Sequence, residues 1–186
     1  MAASAKDKLL ETALALFYRD GFHATGIDRI LAEAGVSKMT LYKYFPSKED
    51  LILGVLELRD RRFRDWMETR VAQLAQAPAE RLLAVFDAAS EWFAQDGFHG
   101  CLFINATAEF GDAASPVRRA AAHHKALMAD WLARIAEAAG ARDAHGLAQT
   151  LMLVLEGAVV TAQVSGGDAA GTARAVAAQL VSKAFA

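Results

Sequence analysis

Apolar positions recur every three to four residues along most of the chain, which is the spacing of one face of an α-helix. The first such stripe comprises Leu9, Leu10, Ala13, Leu16 and Phe17. No alternating stretch bounded by turn residues indicates a strand, so the pattern predicts an all-α fold. Nine helices, three of them short, are predicted at about residues 4–19, 27–34, 38–44, 47–75, 78–95, 102–110, 116–139, 143–164 and 168–184.

Capping residues sharpen the starts of three consecutive helices. Thr25 followed by Asp28 has the spacing of a capping box, in which a hydroxyl and an acid satisfy the first free N–H groups. Ser37 is the predicted cap of the next helix, and Ser47 with Asp50 repeats the pattern one helix later. Three short-range signals therefore delimit residues 25–48 as two short helices followed by a long one.

Residues 25–48 have the pattern of a helix-turn-helix, because the two short helices are joined by a three-residue turn that contains Gly35. Leu41 and Phe45 are predicted to face inward from the second helix. Cations, hydroxyls and apolar groups remain on its outer face: Lys38, Met39, Thr40, Tyr42, Lys43 and Tyr44. Such side chains bind phosphates and contact thymine methyl groups. The alternative is a helical hairpin whose lysines are only solvated.

Composition supports a helical chain and excludes several classes. Of 186 residues, 54% are apolar and 42 are alanine, whereas only three are proline. Glu156 interrupts the most apolar window, so no membrane span is predicted. A charged amino-terminal stretch argues against a secretion signal, and a single cysteine cannot form an intramolecular disulfide. We therefore expect a cytoplasmic protein.

The net charge of −2 conceals an asymmetry. Residues 1–48 contain seven Lys and Arg and five Asp and Glu, whereas residues 49–186 contain 13 and 17. Residues 34–48 contain three lysines and no acid. Because salt screens charges beyond about 8–10 Å, this local excess matters more than the total. It is compatible with a nucleic-acid contact near the helix-turn-helix.

Three segments at characteristic spacing carry a family resemblance: Ala34-Gly35-Val36-Ser37, Leu41-Tyr42-Lys43-Tyr44-Phe45 and Lys48-Glu49-Asp50-Leu51. The sequence here resembles the DNA-binding domain of the TetR family of bacterial regulators. That resemblance implies a DNA-binding domain at 1–48 and a ligand-binding and dimerisation domain at 49–186. It implies a homodimer on a palindromic double-stranded operator, most simply a repressor released by a small organic effector.

The resemblance also assigns candidate DNA contacts. Four residues would hold the phosphate backbone: Thr25, Ser37, Tyr42 and Lys48. Five would lie in or beside the major groove: Lys38, Met39, Thr40, Lys43 and Tyr44. Met39 departs from the small or polar residue frequent at its position, which favours a thymine contact over a hydrogen bond.

The last two helices are the predicted dimer interface, again by resemblance. Their apolar stripes comprise Leu147, Leu151, Val154, Leu155, Ala158, Val159 and Ala162 on one, and Val176, Ala177, Leu180 and Val181 on the other. Alanines permit close helix packing. The alternative is that these stripes form the chain's own core, and part of them must do so.

The middle helices combine aromatic residues with a few polar ones, which suits a pocket for a small organic ligand. The candidate lining residues are Trp66, Phe86, Trp92, Phe93, Cys101, Phe103, Asn105, His123, Trp131, Met152 and Glu156. The same aromatics would also form a core without any pocket. Cys101 is either a buried small residue or, as in some members of the family, a sensor of electrophiles or oxidants.

Neither a metal site nor a catalytic site is predicted. His99, Cys101, His123 and His124 are metal-ligating types, but adjacent helical residues point about 100° apart. A hydrolytic set of Cys101, His123 and Glu109 lacks any nucleophile signature. We expect no enzyme activity and no cofactor. The rival to a regulator is a small-molecule-binding protein that has lost its DNA function.

Overall fold

A computed structural model describes residues 4–185. Within that range it contains nine helices and no strand, which confirms the all-α prediction. The helices are α1 (Ala5–Asp20), α2 (Ile27–Ala34), α3 (Lys38–Tyr44), α4 (Lys48–Leu74), α5 (Pro78–Phe93), α6 (Leu102–Glu109), α7 (Pro116–Ala138), α8 (Ala144–Ser165) and α9 (Ala169–Phe185).

The described residues form two compact units. The first unit contains the chain up to Arg62 together with Leu102–His123, and the second contains Phe63–Cys101 and the chain from His124 onward. Two of the divisions fall inside helices α4 and α7, so neither unit is a continuous segment. These units are groups of contacting residues. The functional domains predicted at 1–48 and 49–186, whose outermost residues lie outside the described range, stay predictions.

In the first unit, α1 begins with a complete capping box. Ser4 Oγ accepts from the Asp7 backbone N–H, and Asp7 accepts from the Ser4 backbone N–H. Hydrogen bonds from Ser4 lower the pKa of the Asp7 carboxyl. The buried face of α1 is the predicted stripe, and Phe17 packs its ring 5.1 Å from that of Phe22. Helix α1 also contacts both α2 and α3.

In the second unit, α5, α8 and α9 pack on one another. The centre of that core includes Met67, Phe86, Leu132, Leu151 and Ala177, all nearly or fully inaccessible to solvent. By length and composition alone, α8 is apolar enough to cross a membrane. Eight of its residues are nevertheless buried in the unit, a pattern also typical of a core helix.

Candidate nucleic-acid interface

A left-handed glycine forms the turn between α2 and α3. Gly35 has φ +63°, a conformation that side chains rarely adopt, and its N–H donates to Leu31 O. Val36 N–H donates to the same carbonyl at 3.2 Å. Ser37 then caps α3, because its Oγ accepts from Thr40 N–H at 3.2 Å. The predicted turn and the cap at Ser37 are confirmed.

Helix α3 is fixed on one side and open on the other. Leu41 is fully buried in α3, and Phe45, which follows the helix, is nearly so. Met39 is 83% exposed, and large parts of Tyr42 and Tyr44 are also accessible. A seven-residue helix thus presents a methionine and two tyrosines to solvent, which is unusual for a surface without a partner.

Lysines flank these apolar groups. Lys38 Nζ lies 3.7 Å from Asp28 Oδ1, and the Lys43 ammonium lies 6.0 Å from the centre of the Tyr44 ring. Lys48, at the start of α4, is partly buried. That burial lowers the pKa of Lys48, whereas the negative charge of Glu109 opposes the shift. Positive charge is therefore present along α3 and into the first turn of α4.

Thr25 differs from the other candidate DNA contacts. Its side chain is 0% exposed, and its hydroxyl donates to Gly21 O at 2.7 Å. The cap of α2 is Gly26, which has no side chain to supply a capping hydrogen bond. The predicted capping box of Thr25 with Asp28 is therefore wrong. In this structure Thr25 closes the turn before α2 instead of presenting its hydroxyl at the surface.

The turn before α2 also contacts the end of α6. Glu109 Oε1 accepts from Phe22 N–H at 2.8 Å, and Oε2 accepts from His23 N–H at 2.7 Å. A groove of about 440 Å³ lies beside this contact, lined by His23, Lys48, Glu49, Ile52 and Phe110. No sequence signal predicts these hydrogen bonds, because 86 and 87 residues separate the partners.

The second unit contains a cluster of aromatic rings. Phe63 lies at its centre, with its ring 4.7 Å from Trp92, 5.8 Å from Trp66 and 5.9 Å from His124. Phe98 extends the cluster, 5.3 Å from Trp92. His124 is only 2% exposed, so it is an imidazole enclosed among rings.

Lys125 joins two of the candidate ligand-binding residues in this unit. Its Nζ donates to Cys101 Sγ at 3.6 Å and lies 3.4 Å from Glu156 Oε1. Cys101 is almost completely buried, and Gly100 before it has φ +78°. That φ is one that side chains rarely adopt, and a β-carbon at Gly100 would also displace the amide end of the Gln163 side chain.

Two family models match the chain. The model for bacterial regulatory proteins of the tetR family matches residues 9–55, and the model for the tetracyclin repressor-like C-terminal domain matches residues 78–178. The second match covers more than half of the chain.

The chain belongs to the TetR family.

Known transcriptional regulators are similar to this TetR-family chain over most of its length. The crystal structure of SCO4454, a TetR-family transcriptional regulator from Streptomyces coelicolor, superposes with a TM-score of 0.90 at 32% identity, covering 98% of this chain and 96% of that one. The transcriptional regulator AcuR from Cereibacter sphaeroides is 29% identical over 88% of this chain and 78% of its own. This chain is thus a transcriptional regulator, with a helix-turn-helix at its amino-terminal end.

One shorter match has a higher identity than these long ones. RutR from Escherichia coli K12, an HTH-type transcriptional regulator, is 52% identical over 56 residues, which are 30% of this chain and 26% of RutR. Identity is thus higher over this short segment than over the long matches. Ligand-responsive DNA binding and dimer formation are typical of the TetR family.

The candidate effector residues of this TetR-family chain are divided between the two units. Eight are in the second unit: Trp66, Phe86, Trp92, Phe93, Cys101, Trp131, Met152 and Glu156. Three are in the first: Phe103, Asn105 and His123. His123 is exposed on α7, whereas its neighbour His124 is buried, and the assignment of His123 as a lining residue stays a prediction. Within residues 4–185, no three His, Cys, Asp or Glu side chains are grouped to hold a metal ion.

A sequence signal for His124 exists. The buried positions of α7 include Val117, Ala121 and Met128, and His124 falls three residues after the second and four before the third. That is the spacing of one helix face, and His123 lies off it. Lys125 was missed because a lone lysine among alanines gives no signal of what it faces.

The predicted dimer stripe also needs correction. Leu147, Leu151, Leu155 and Val159 of α8 are buried within the second unit, as the intramolecular alternative held. Large apolar side chains reach solvent at three positions of α8 outside the predicted stripe, Leu153, Val160 and Val164, and at Val176 of α9, which belongs to that stripe. Leu153 and Val164 are 72% and 78% exposed. Among the described residues, the last two helices thus retain an exposed apolar face, of which Val176 was predicted and the α8 positions were not.

Proposed function

We propose that this protein is a cytoplasmic repressor that binds a palindromic operator as a homodimer and is released by a small organic effector. The exposed face of α3 is the observation that carries the proposal. Leu41 anchors the helix to the core, while Met39, Tyr42 and Lys43 stand on the accessible side. Cations and hydroxyls suit phosphates, and the methionine suits a thymine methyl in the major groove.

The docking follows that of other helix-turn-helix proteins. In this proposal α3 lies in the major groove, with Lys38, Met39, Thr40, Lys43 and Tyr44 in or beside it. The side chains of Ser37, Tyr42 and Lys48 contact phosphates on either side. Thr25 contributes by shaping the turn that precedes α2, since its hydroxyl is already bonded to the backbone. A second subunit would place its α3 one helical turn away, about 34–36 Å.

Binding is expected to depend steeply on salt. A dimer brings six lysines to the DNA, at positions 38, 43 and 48 of each subunit, and if each neutralises one phosphate charge log K should fall with log salt at a slope near −5. Fluorescence anisotropy between 50 and 200 mM salt, on a duplex selected by the protein from a random pool, measures the slope. Lys48→Ala should reduce its magnitude by about 2, one unit per subunit. Lys8→Ala is the control; equal slopes in both variants would contradict the phosphate role of Lys48.

The effector site is proposed in the second unit, around the ring cluster and Lys125. Trp66, Trp92 and Phe93 supply apolar walls, His124 supplies a polar group beside the Phe63 ring, and Glu156 is paired with Lys125. Mostly apolar surfaces with a few polar groups are typical of small-molecule sites. A typical coupling of 1–3 kcal/mol between effector and DNA changes operator affinity by about 5- to 150-fold.

A sensor role for Cys101 is a second candidate, favoured by its contact with the Lys125 ammonium. Iodoacetamide should alkylate Cys101 once, with loss of iodide, and release the wild-type protein from the selected duplex. Mass spectrometry measures the adduct, and gel shift measures release. Cys101→Ser, which removes the only cysteine, should stay bound; release of this variant to the same extent would eliminate the sensor role.

A further inference from the structure

One carboxylate holds the turn between α1 and α2 from outside the helix-turn-helix segment. Glu109, the last residue of α6, accepts from two consecutive backbone N–H groups, those of Phe22 and His23, at 2.8 and 2.7 Å. Each carboxylate oxygen takes one of them. All of these residues belong to the first unit. Charge-assisted hydrogen bonds of this length are among the stronger ones in proteins.

The turn depends on these bonds because it has left α1 and not yet entered α2. An N–H past a helix end has no helical acceptor and must find another partner when it is buried. Phe22 is fully buried. Gly21, at φ +90°, makes room for the carboxylate, since a β-carbon there would lie 3.0 Å from Glu109 Oε1. The geometry is thus fitted on both sides of the contact.

Ring contacts reinforce the same junction. Phe110, directly after Glu109, packs edge-on against Phe22 at 5.9 Å and against His23 at 4.7 Å. The His23 Nδ1 atom also lies 3.5 Å from Glu109 Oε2. Two successive residues at the end of α6 therefore contact two successive residues of the turn, by polar and by apolar means. Such paired contacts restrict how the turn can rotate.

The direction of α2 follows from this turn. The cap of α2, Gly26, supplies no side-chain hydrogen bond, so the start of the helix relies on the turn before it. Thr25 closes that turn on Gly21 O. Helix α2 in turn packs against α3. A shift of the turn would therefore change the direction in which α3 is presented.

We propose that Glu109 is a positioning residue for DNA recognition, which holds the α1–α2 turn so that α3 keeps its register in the groove. This inference rests on the proposed DNA binding. Glu109 itself touches no DNA in the proposed docking. Its loss should weaken recognition of base sequence while leaving the phosphate-binding lysines in place.

Glu109→Gln is the decisive variant. A glutamine oxygen can accept from one of the two N–H groups, but its NH₂ group can accept from neither. Affinity for a duplex that the wild type selects from a random pool should fall about tenfold, the effect of losing one good base contact. Affinity for an unrelated duplex should stay within about twofold, since phosphate contacts supply it. Glu57→Gln, at an exposed position of α4, is the matched control and should change neither value.

The ratio of the two affinities separates positioning from general damage, because loss of folded protein lowers both equally. Amide hydrogen exchange of the intact protein gives a readout without DNA: residues 21–26 should exchange faster in Glu109→Gln than in the control. Glu109→Asp keeps the charge on a shorter arm and should fall between wild type and Glu109→Gln. An unchanged ratio, a tighter complex or unchanged exchange would overturn the inference. Failure of the wild type to select any duplex would refute the proposed function, whereas the exchange measurement would still test the contact.

Discussion

The double variant Tyr42→Ala/Lys48→Ala is expected to lose DNA binding while remaining a folded dimer. Each subunit loses two phosphate contacts, so a dimer loses four. At about 1 kcal/mol for each contact, the loss amounts to roughly a thousandfold in affinity. Fold and assembly should persist because Tyr42 is substantially exposed and because Lys48 forms no part of the apolar core.

Gel shift on the duplex selected by the wild type measures the affinity, and size-exclusion chromatography with light scattering measures assembly. Lys8→Ala/Lys183→Ala removes two exposed lysines from α1 and α9 and should bind DNA as the wild type does. A double variant that still shifts the duplex at ordinary salt would show that the docking of α3 is wrongly assigned. A monomeric double variant would also contradict the prediction, since neither residue lies on α8 or α9, the predicted dimer helices.

The second large effect is expected at the apolar face of α8. Leu153→Asp/Val164→Asp should convert the dimer to monomers, because each dimer would bury four carboxylates in an apolar contact. The two positions are eleven residues apart, close to three helical turns, so they share one face. Loss of the second half-site should then reduce affinity for a palindromic duplex at least about a hundredfold.

Analytical ultracentrifugation across a concentration series checks the dimer. The matched control is Ala126→Asp/Ala138→Asp, which adds two carboxylates at exposed positions of α7 and should leave the dimer intact. Circular dichroism establishes that both variants are folded. If Leu153→Asp/Val164→Asp stays dimeric at low micromolar concentration, the dimer interface lies elsewhere on the molecule.

Helix boundaries were predictable because their signals are local. Ser47 and Asp50 cap α4 as expected, with Asp50 N–H donating to Ser47 Oγ at 3.1 Å. The same kind of signal failed at Thr25. A capping hydroxyl must accept from a free N–H of the helix, but the Thr25 hydroxyl instead donates to the carbonyl of Gly21, four residues earlier, and Gly26 takes the cap position.

The inward face of α8 was less predictable for a reason of composition. Leu151 and Leu153 are both apolar, yet the first is buried and the second exposed. Where apolar residues occur all round a helix, periodicity no longer distinguishes the core face from an interface. A dimeric regulator needs both faces, so the ambiguity reflects two separate requirements on one helix.

Contacts between segments far apart in the sequence could not be predicted from it. A glutamate at the end of a short helix has many possible partners, and nothing in residues 102–110 indicates that Glu109 faces Phe22. The pair His123 and His124 shows the intermediate case. Which of the two histidines is buried depends on the phase of α7. The neighbouring buried positions define that phase, but the histidines themselves do not.

The bond between Glu109 and the α1–α2 turn has a consequence for engineered regulators. A chimera that joins residues 1–48 to the remaining chain of another family member would contain the turn but lack Glu109, the acceptor of its two hydrogen bonds. The amides of Phe22 and His23 would then meet whatever side chain the recipient has at the equivalent place. A recipient that lacks a carboxylate there would need Glu109 and Phe110 transferred together with residues 1–48.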